Sequence, residues 1–261
     1  MPAISLTQRT PAGTAADAWA PGPIRPRLGD GAVHVWLADL TRISDDLSDV
    51  LSPDEHARAE RFLDARRGMV WARAHGLLRV LLGRYLDADP RRLRFVAGPH
   101  GKPALLGGAL GSRTAASSSR LSFNLSHSGH LAVYAFSKAR AVGVDVEVAG
   151  RALNVGAIAV RAFGPAEARR LGELDPAARK GEFLRAWTQQ EAKLKCRGTG
   201  IGGRAVDYGE RKLWTSELEM GVRGRAAVAV ERQPHELRCW DWRELTGRPG
   251  GRRPADGAVA F

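Results

Sequence analysis

Cysteine is scarce in this 261-residue chain: Cys196 and Cys239 are the only two, too few for a disulfide framework or a thiolate metal site. Long apolar runs are missing as well. No stretch reaches the roughly 18 apolar residues of a membrane-spanning helix, which excludes a helical membrane protein and leaves one large globular domain or two small ones. Residues 1–31 lack a charged start followed by an apolar core, so no secretory leader and a cytoplasmic location are expected. Lysine is in short supply for a basic protein, six residues against 34 arginines.

What is present is positive charge, 40 Lys plus Arg against 28 Asp plus Glu, a net +12. An excess carried by Arg suits planar, bidentate holding of phosphate or carboxylate. It is unevenly placed: residues 31–57 carry −5, residues 58–102 carry +7 and residues 151–200 carry +5. Two basic blocks around a neutral middle suggest one polyanion site lined from two sides, with scattered solvated helix faces as the plain alternative.

Residues 1–30, rich in Pro, Gly and Ala, read as a disordered tail. Order is expected from Val33-His34-Val35-Trp36-Leu37, an apolar strand. Ser52-Pro53-Asp54-Glu55 opens a helix, with Ser as N-cap, Pro at the first helical position and acids in the first turn. Apolar residues then recur at helical spacing to about Leu86, and Asp89-Pro90 ends the run. Gly98-Pro99-His100-Gly101-Lys102-Pro103 is turn-rich, and 107–119 reads as a flexible connection. Leu121, Phe123 and Leu125 alternate with polar residues and precede an apolar run over 130–137, with His127-Ser128-Gly129 between them, the pattern of a β-hairpin. Residues 141–148 are the most strand-like of the chain, helical sequence resumes over about 154–197, and 226–230 and 236–242 are the best later strands. A degenerate repeat, offset by about 112 residues, relates Ser52-Pro53-Asp54-Glu55 and Arg66-Arg67-Gly68 to Gly164-Pro165-Ala166-Glu167 and Arg179-Lys180-Gly181. The expected fold is α+β, two similar α/β halves over 31–139 and 140–261, each an antiparallel sheet packed against a long helix, with the ligand at their interface.

Within Gly143-Val144-Asp145-Val146-Glu147, strand alternation puts the valines on one face and both carboxylates on the other, with Cα atoms about 6.6 Å apart. Carboxylates that close repel, and a hard cation such as Mg²⁺ keeps them ionised. An amphipathic strand with a solvated acidic face gives the same pattern. Downstream, Phe183, Trp187, Glu191 and Lys195 are four apart and form one helical stripe that begins apolar and ends in Glu and Lys. Either it delivers both charges to an internal site, or Glu191 and Lys195 are a surface pair worth about 0.3–0.5 kcal/mol. Together, Asp145, Glu147, Glu191 and Lys195 are three carboxylates and one ammonium, the set used in Mg²⁺-assisted phosphoryl transfer.

Gly143-Val144-Asp145-Val146-Glu147, followed by Trp187-Thr188-x-x-Glu191-Ala192-x-x-Lys195 and Gly198-Thr199-Gly200, resembles the signature of the surfactin-synthetase-type 4′-phosphopantetheinyl transferases. Gly101-Lys102-Pro103 and Phe123-Asn124-Leu125-Ser126-His127-Ser128 add to the likeness, which covers about residues 33–203. The resemblance implies a pseudo-dimeric transferase that moves the phosphopantetheine arm of coenzyme A onto a serine of an acyl or peptidyl carrier protein, releasing adenosine 3′,5′-bisphosphate. It implies that Asp145, Glu147 and Glu191 hold Mg²⁺ and that Lys195 contacts the phosphate under attack. Lys102 and Pro103 would border the adenine and 3′-phosphate, Ser126 and His127 would face the nucleotide phosphates, Arg66 or Arg67 would meet the 3′-phosphate, and Glu167 would be the base for the serine proton. Gln190 departs from the pattern, since many relatives have Lys before the motif glutamate. The implied protein is a monomer that engages neither nucleic acid nor membrane.

Other readings fit less well. A metal-dependent nuclease would use Glu191-x-Lys193 on a strand, but the sequence there is helical, which splays the two side chains by about 200°. A basic nucleic-acid-binding protein is permitted by composition, yet no recognised module is present. The run Gly198–Gly203 follows a helix, whereas a dinucleotide fingerprint follows a strand. Ser126-His127-Ser128 lacks the elbow of a serine hydrolase.

Overall fold

A strand with one face in water alternates polar and apolar residues, whereas one covered on both faces does not. Residues 33–37 and 131–136 are apolar at nearly every position, and a computed structural model shows both to be covered twice. The structure describes residues 19–43, 45–98, 101–106, 121–150, 155–199 and 213–243. The 107–119 connection, Pro99-His100 and Gly200 lie outside these, as do the first 18 residues of the expected tail. In chain order the strands are Ala20–Pro21 (β1), Ala32–Asp39 (β2), Phe95–Ala97 (β3), Pro103–Leu105 (β4), Leu121–Ser128 (β5), Leu131–Lys138 (β6), Val142–Val148 (β7), Leu213–Leu218 (β8), Gly224–Glu231 (β9) and Glu236–Asp241 (β10). The helices are Pro53–Glu60 (α1), Ala65–Leu86 (α2), Val155–Phe163 (α3), Pro165–Gly172 (α4) and Pro176–Arg197 (α5).

Four layers result. Leu77, Leu78 and Leu81 of α2 pack on Trp36, Ala38, Tyr134 and Phe136, one face of the first sheet. The opposite face, Val33, Val35, Leu37, Leu131 and Val133, meets Val142, Val144, Val146, Val228 and Val230 of the second sheet. The far face of that sheet, through Ala227 and Ala229, takes Ala192 and Cys196 of α5.

The repeat is structural. An eight-residue helix with Pro at its start and a 22-residue helix N-capped by Asp64 occur in the first half, and an eight-residue helix and a 22-residue helix N-capped by Asp175 in the second. The strand orders β2-β6-β5 and β7-β9-β8 are the same permutation, first, third, second. The halves differ in their additions. β10 pairs in parallel with β2, and β1 in parallel with β10, so the first sheet is mixed rather than purely antiparallel, and the C-terminal strand crosses back over the expected 139/140 boundary. It is held there by Trp240 and Trp242, which join the core of the first half. The expected tail is corrected for residues 19–30, because Ala20 and Pro21 are ordered by pairing with Trp240 and Asp241. The long first helix is also two helices, and the second restarts on the Asp64 side chain, which accepts from the Arg66 N–H.

A buried polar knot sits in the first core. Trp36 Nε1 and His34 Nδ1 both meet the Tyr85 hydroxyl at 2.9 Å. That hydroxyl accepts from Trp36, and its own proton can be donated to the Nδ1 of a neutral His34. Burial, reinforced by Arg238 and opposed by Glu236, lowers the His34 pKa to about 4. The unfolded chain takes up this proton near pH 6.5 and the folded chain only near 4, so stability falls as pH falls from 6.5 to 4, by up to about 3 kcal/mol for this group. Urea unfolding at pH 6.5 and 4.5 should show that fall, and His34→Asn should be less stable but shallower in slope. The slope will not vanish, because His75 is likewise lowered to about 4, mainly by burial. An unchanged slope in His34→Asn would refute the assignment.

Candidate functional site

The site lies where β5, β7 and α5 meet. Gly143 makes the meeting possible, since a Cβ there would stand 2.1 Å from the Ala192 carbonyl oxygen and 2.3 Å from the Cys196 nitrogen. With no side chain at that point, α5 lies directly on β7, and its Glu191 and Lys195 reach the face that carries Asp145 and Glu147. Asp145 is 4% exposed, Glu147 8% and Glu191 4%, so neither the solvated acidic strand nor the exposed helix pair describes them. Lys195 pairs with Asp145, its Nζ 2.6 Å from Oδ1, instead of with Glu191. Ser126 Oγ accepts from the same ammonium and donates to the same carboxylate oxygen, each at 2.8 Å. Ser128 Oγ donates to Glu147 Oε2 at 2.7 Å.

Among the described residues, Lys195 is the ammonium paired within this group of carboxylates. Desolvation, then the charges of Asp145 and Glu147 against that of Lys195, push Glu191 up to about 7. Desolvation also raises Asp145, with Lys195 and Ser126 opposing. Asp145 Oδ2 is buried and has no hydrogen-bond partner among the described residues. Among the described residues, no group of three or more Asp, Glu, His or Cys side chains is placed to hold a metal ion. The donors nevertheless suit a hard cation by their chemistry: all are carboxylate oxygens, and one of them, Asp145 Oδ2, is buried with no hydrogen-bond partner among the described residues.

The other expected residues fall less neatly. Lys102 turns inward, donating to the carbonyl oxygens of Val142 and Lys195, both at 2.8 Å. Its ammonium thus ties the last turn of α5 to the start of β7; burial lowers its pKa. Pro103, at the start of β4, pairs with Ala97. The Ser126 hydroxyl is committed to Asp145 and Lys195. His127 points the opposite way and is exposed at the surface, yet crowding by surrounding protein, then the Lys195 charge, lowers its pKa. Glu167 does not join the cluster: its Oε1 accepts from Arg170 Nε and Nη2 at 2.9 and 2.6 Å, and the charges acting on Glu191 are those of Asp145, Lys195 and Glu147. A first-turn acid within reach of an arginine one turn on makes that local pair.

The basic block over 58–102 is not one surface. Arg79 is 2% exposed and spends its guanidinium on Glu55 and the carbonyls of Pro90 and Leu93. Arg84 lies over the Trp242 ring at 4.3 Å. Arg67, with Arg58, Arg61, Phe62, Leu63 and Asp64, lines a groove of about 390 Å³ at the corner between α1 and α2, while Arg66 is exposed beside it. From that corner Arg58 covers the Trp71 ring at 5.2 Å, Trp71 stacks on His75 at 3.8 Å, and the charge of His127 acts on His75. Sequence reading gave Trp71 and His75 no role; their i,i+4 spacing on α2 was the available signal.

Residues 141–241 match the 4′-phosphopantetheinyl transferase superfamily. The chain is 37% identical over 186 residues to the 4′-phosphopantetheinyl transferase HetI of Nostoc, covering 70% of this chain and 76% of that protein. It is 32% identical over 171 residues to a putative 4′-phosphopantetheinyl transferase of Synechocystis, covering 65% and 66%. Against the 4′-phosphopantetheinyl transferase AcpT of Salmonella typhimurium it is 36% identical over 120 residues, 46% of this chain and 56% of the relative.

Proposed function

Because the chain belongs to the 4′-phosphopantetheinyl transferase superfamily and so transfers 4′-phosphopantetheine to carrier proteins, we propose that Asp145, Glu147 and Glu191 hold the Mg²⁺ of that reaction, with Lys195 at the phosphate under attack. The observation that carries this reading is the buried trio of carboxylates contributed by β7 and α5, with Asp145 paired to Lys195 through Oδ1 and its buried Oδ2 left, among the described residues, without a hydrogen-bond partner. The family is generally Mg²⁺-dependent; held by these carboxylates, the ion would neutralise phosphate oxygens and lower the barrier electrostatically.

The chain's own residues do the rest. Lys195, whose side chain is 29% exposed, is the charge of the cluster that reaches the solvent side, where it offsets negative charge growing on the leaving phosphate. His127, exposed on the opposite face of β5 from Ser126, is the one of the two left to face the nucleotide phosphates. The groove of Arg67, Arg58 and Arg61 takes the 3′-phosphate end of coenzyme A, with bidentate geometry suited to it. Lys102 acts from behind, fixing the backbone of Lys195. Glu167 is not assigned the serine proton, because a base must come within about 3 Å of the hydroxyl, directly or through one water, and Arg170 holds this carboxylate. The acceptor is the serine of an acyl or peptidyl carrier protein, and the second product is adenosine 3′,5′-bisphosphate. The nuclease reading is set aside, since Glu191 and Lys193 stand on α5 and not on a strand.

Incubation with an apo carrier protein, coenzyme A and Mg²⁺, followed by intact mass measurement of the carrier, should show addition of one phosphopantetheine, suppressed by EDTA and restored by Mg²⁺. No addition would overturn the activity, and equal addition in EDTA would overturn the metal assignment.

A further inference from the structure

The run Phe123-Asn124-Leu125-Ser126-His127-Ser128 is only partly used by the function proposed above. Asn124, Ser126 and Ser128 are alternate residues of β5 and share one face, 6%, 7% and 6% exposed, while Phe123 packs into the core on the other face. β5 is the last strand of the first sheet and β7 the first of the second. Two sheet edges lying together without pairing would bury unsatisfied N–H groups, each costing about 1–3 kcal/mol. Here side chains of one edge answer the backbone of the other. Asn124 Oδ1 accepts from the Val144 N–H at 2.9 Å, and Ser128 Oγ accepts from the Val148 N–H at 3.4 Å.

The same side chains also reach the carboxylates. Ser126 donates to Asp145 and Ser128 to Glu147, so each hydroxyl fixes one oxygen of a carboxylate on the facing strand. We propose that Asn124, Ser126 and Ser128 form a seam by which the first half of the chain positions the carboxylates of the second, Asn124 setting the register of β7 and the two hydroxyls aiming Asp145 and Glu147. They are positioning residues: none is required to touch substrate, and each acts through β7. The proposal rests on the reading of Asp145 and Glu147 as metal-holding groups. Partners of this kind orient a ligand before the ion arrives, and their loss typically weakens metal binding by about 10–100-fold.

Ser128 gives the cleanest test, since it donates to Glu147 and accepts from the strand bearing it. Mn²⁺ binding to the full chain, followed by electron paramagnetic resonance without coenzyme A or carrier, should weaken by about tenfold or more in Ser128→Ala. The Mg²⁺ concentration for half-maximal transfer should rise by a similar factor, the rate at saturating Mg²⁺ should fall less, and Ser128→Thr, which keeps the hydroxyl, should restore both. A wild-type chain that binds Mn²⁺ alongside a Ser128→Ala variant that binds it equally well would overturn the positioning role alone. So would an effect confined to the melting temperature. A wild-type chain that binds no Mn²⁺ would overturn the metal assignment and this proposal with it.

Discussion

Asp145→Asn is expected to slow carrier modification by at least about a thousandfold while the protein stays folded. The substitution keeps the size of the side chain and an oxygen to accept from Ser126, and removes only the charge. That charge is 4% exposed, bonded through Oδ1 to Lys195 and Ser126, and its second oxygen is buried without a hydrogen-bond partner among the described residues. Stability is little threatened: the lost pair with Lys195 is offset by relief of repulsion from Glu147 and Glu191, and Lys195 keeps Ser126 and access to solvent. Catalysis loses an ionised oxygen donor and the anchor of the lysine together, and about 4 kcal/mol of transition-state stabilisation corresponds to a thousandfold in rate. Intact mass time courses at saturating coenzyme A and Mg²⁺, beside circular dichroism melts, check both halves of the expectation. A folded variant with wild-type rate would remove Asp145 from the site.

Much of this site was legible before any coordinates, and what was not has a common cause. The shared face of Asp145 and Glu147 follows from strand alternation, and the line from Phe183 to Lys195 from helical spacing; both are local. Burial is not local. Whether Asp145 faces water or protein depends on β5 and α5 arriving on either side of β7, and only Gly143 in the pentapeptide hints at a close neighbour. Pairing choices were hidden for the same reason: Glu191 and Lys195 are one turn apart, yet Lys195 turns to Asp145, 50 residues away. Glu167 stands at a suggestive position, and the cation that its carboxylate meets, Arg170, is local. That two carbonyls, one of them 93 residues on, hold the Lys102 ammonium likewise has no local sign. The place of β10 in the first sheet joins strands about 200 residues apart in parallel, a pairing with no short-range signature, and with it went the order of Ala20 and Pro21.

Gly143→Ala should be almost as damaging as loss of a charged group, although it adds a single methyl. The new Cβ would fall 2.1 Å from the Ala192 oxygen, 2.3 Å from the Cys196 nitrogen and 2.9 Å from the Cys196 Cα, all backbone atoms of α5 that no rotamer change can move aside. The helix must retreat by about 1 Å to reach ordinary contact, and Glu191 and Lys195 retreat with it. Overpacking of this kind destabilises by about 1–3 kcal/mol, whereas a displacement of about 1 Å between reacting groups can cost about a hundredfold in rate. The expected signature is therefore a rate loss of about two orders of magnitude at a temperature where the variant is still folded. Transfer rates measured well below the melting transition separate this from simple unfolding, and because Lys102 binds the Lys195 carbonyl on the moving helix, Gly143→Ala combined with Lys102→Met should be little worse than Gly143→Ala alone. A folded Gly143→Ala with the wild-type rate would mean that the contact between α5 and β7 does not set the distance between Lys195 and Asp145.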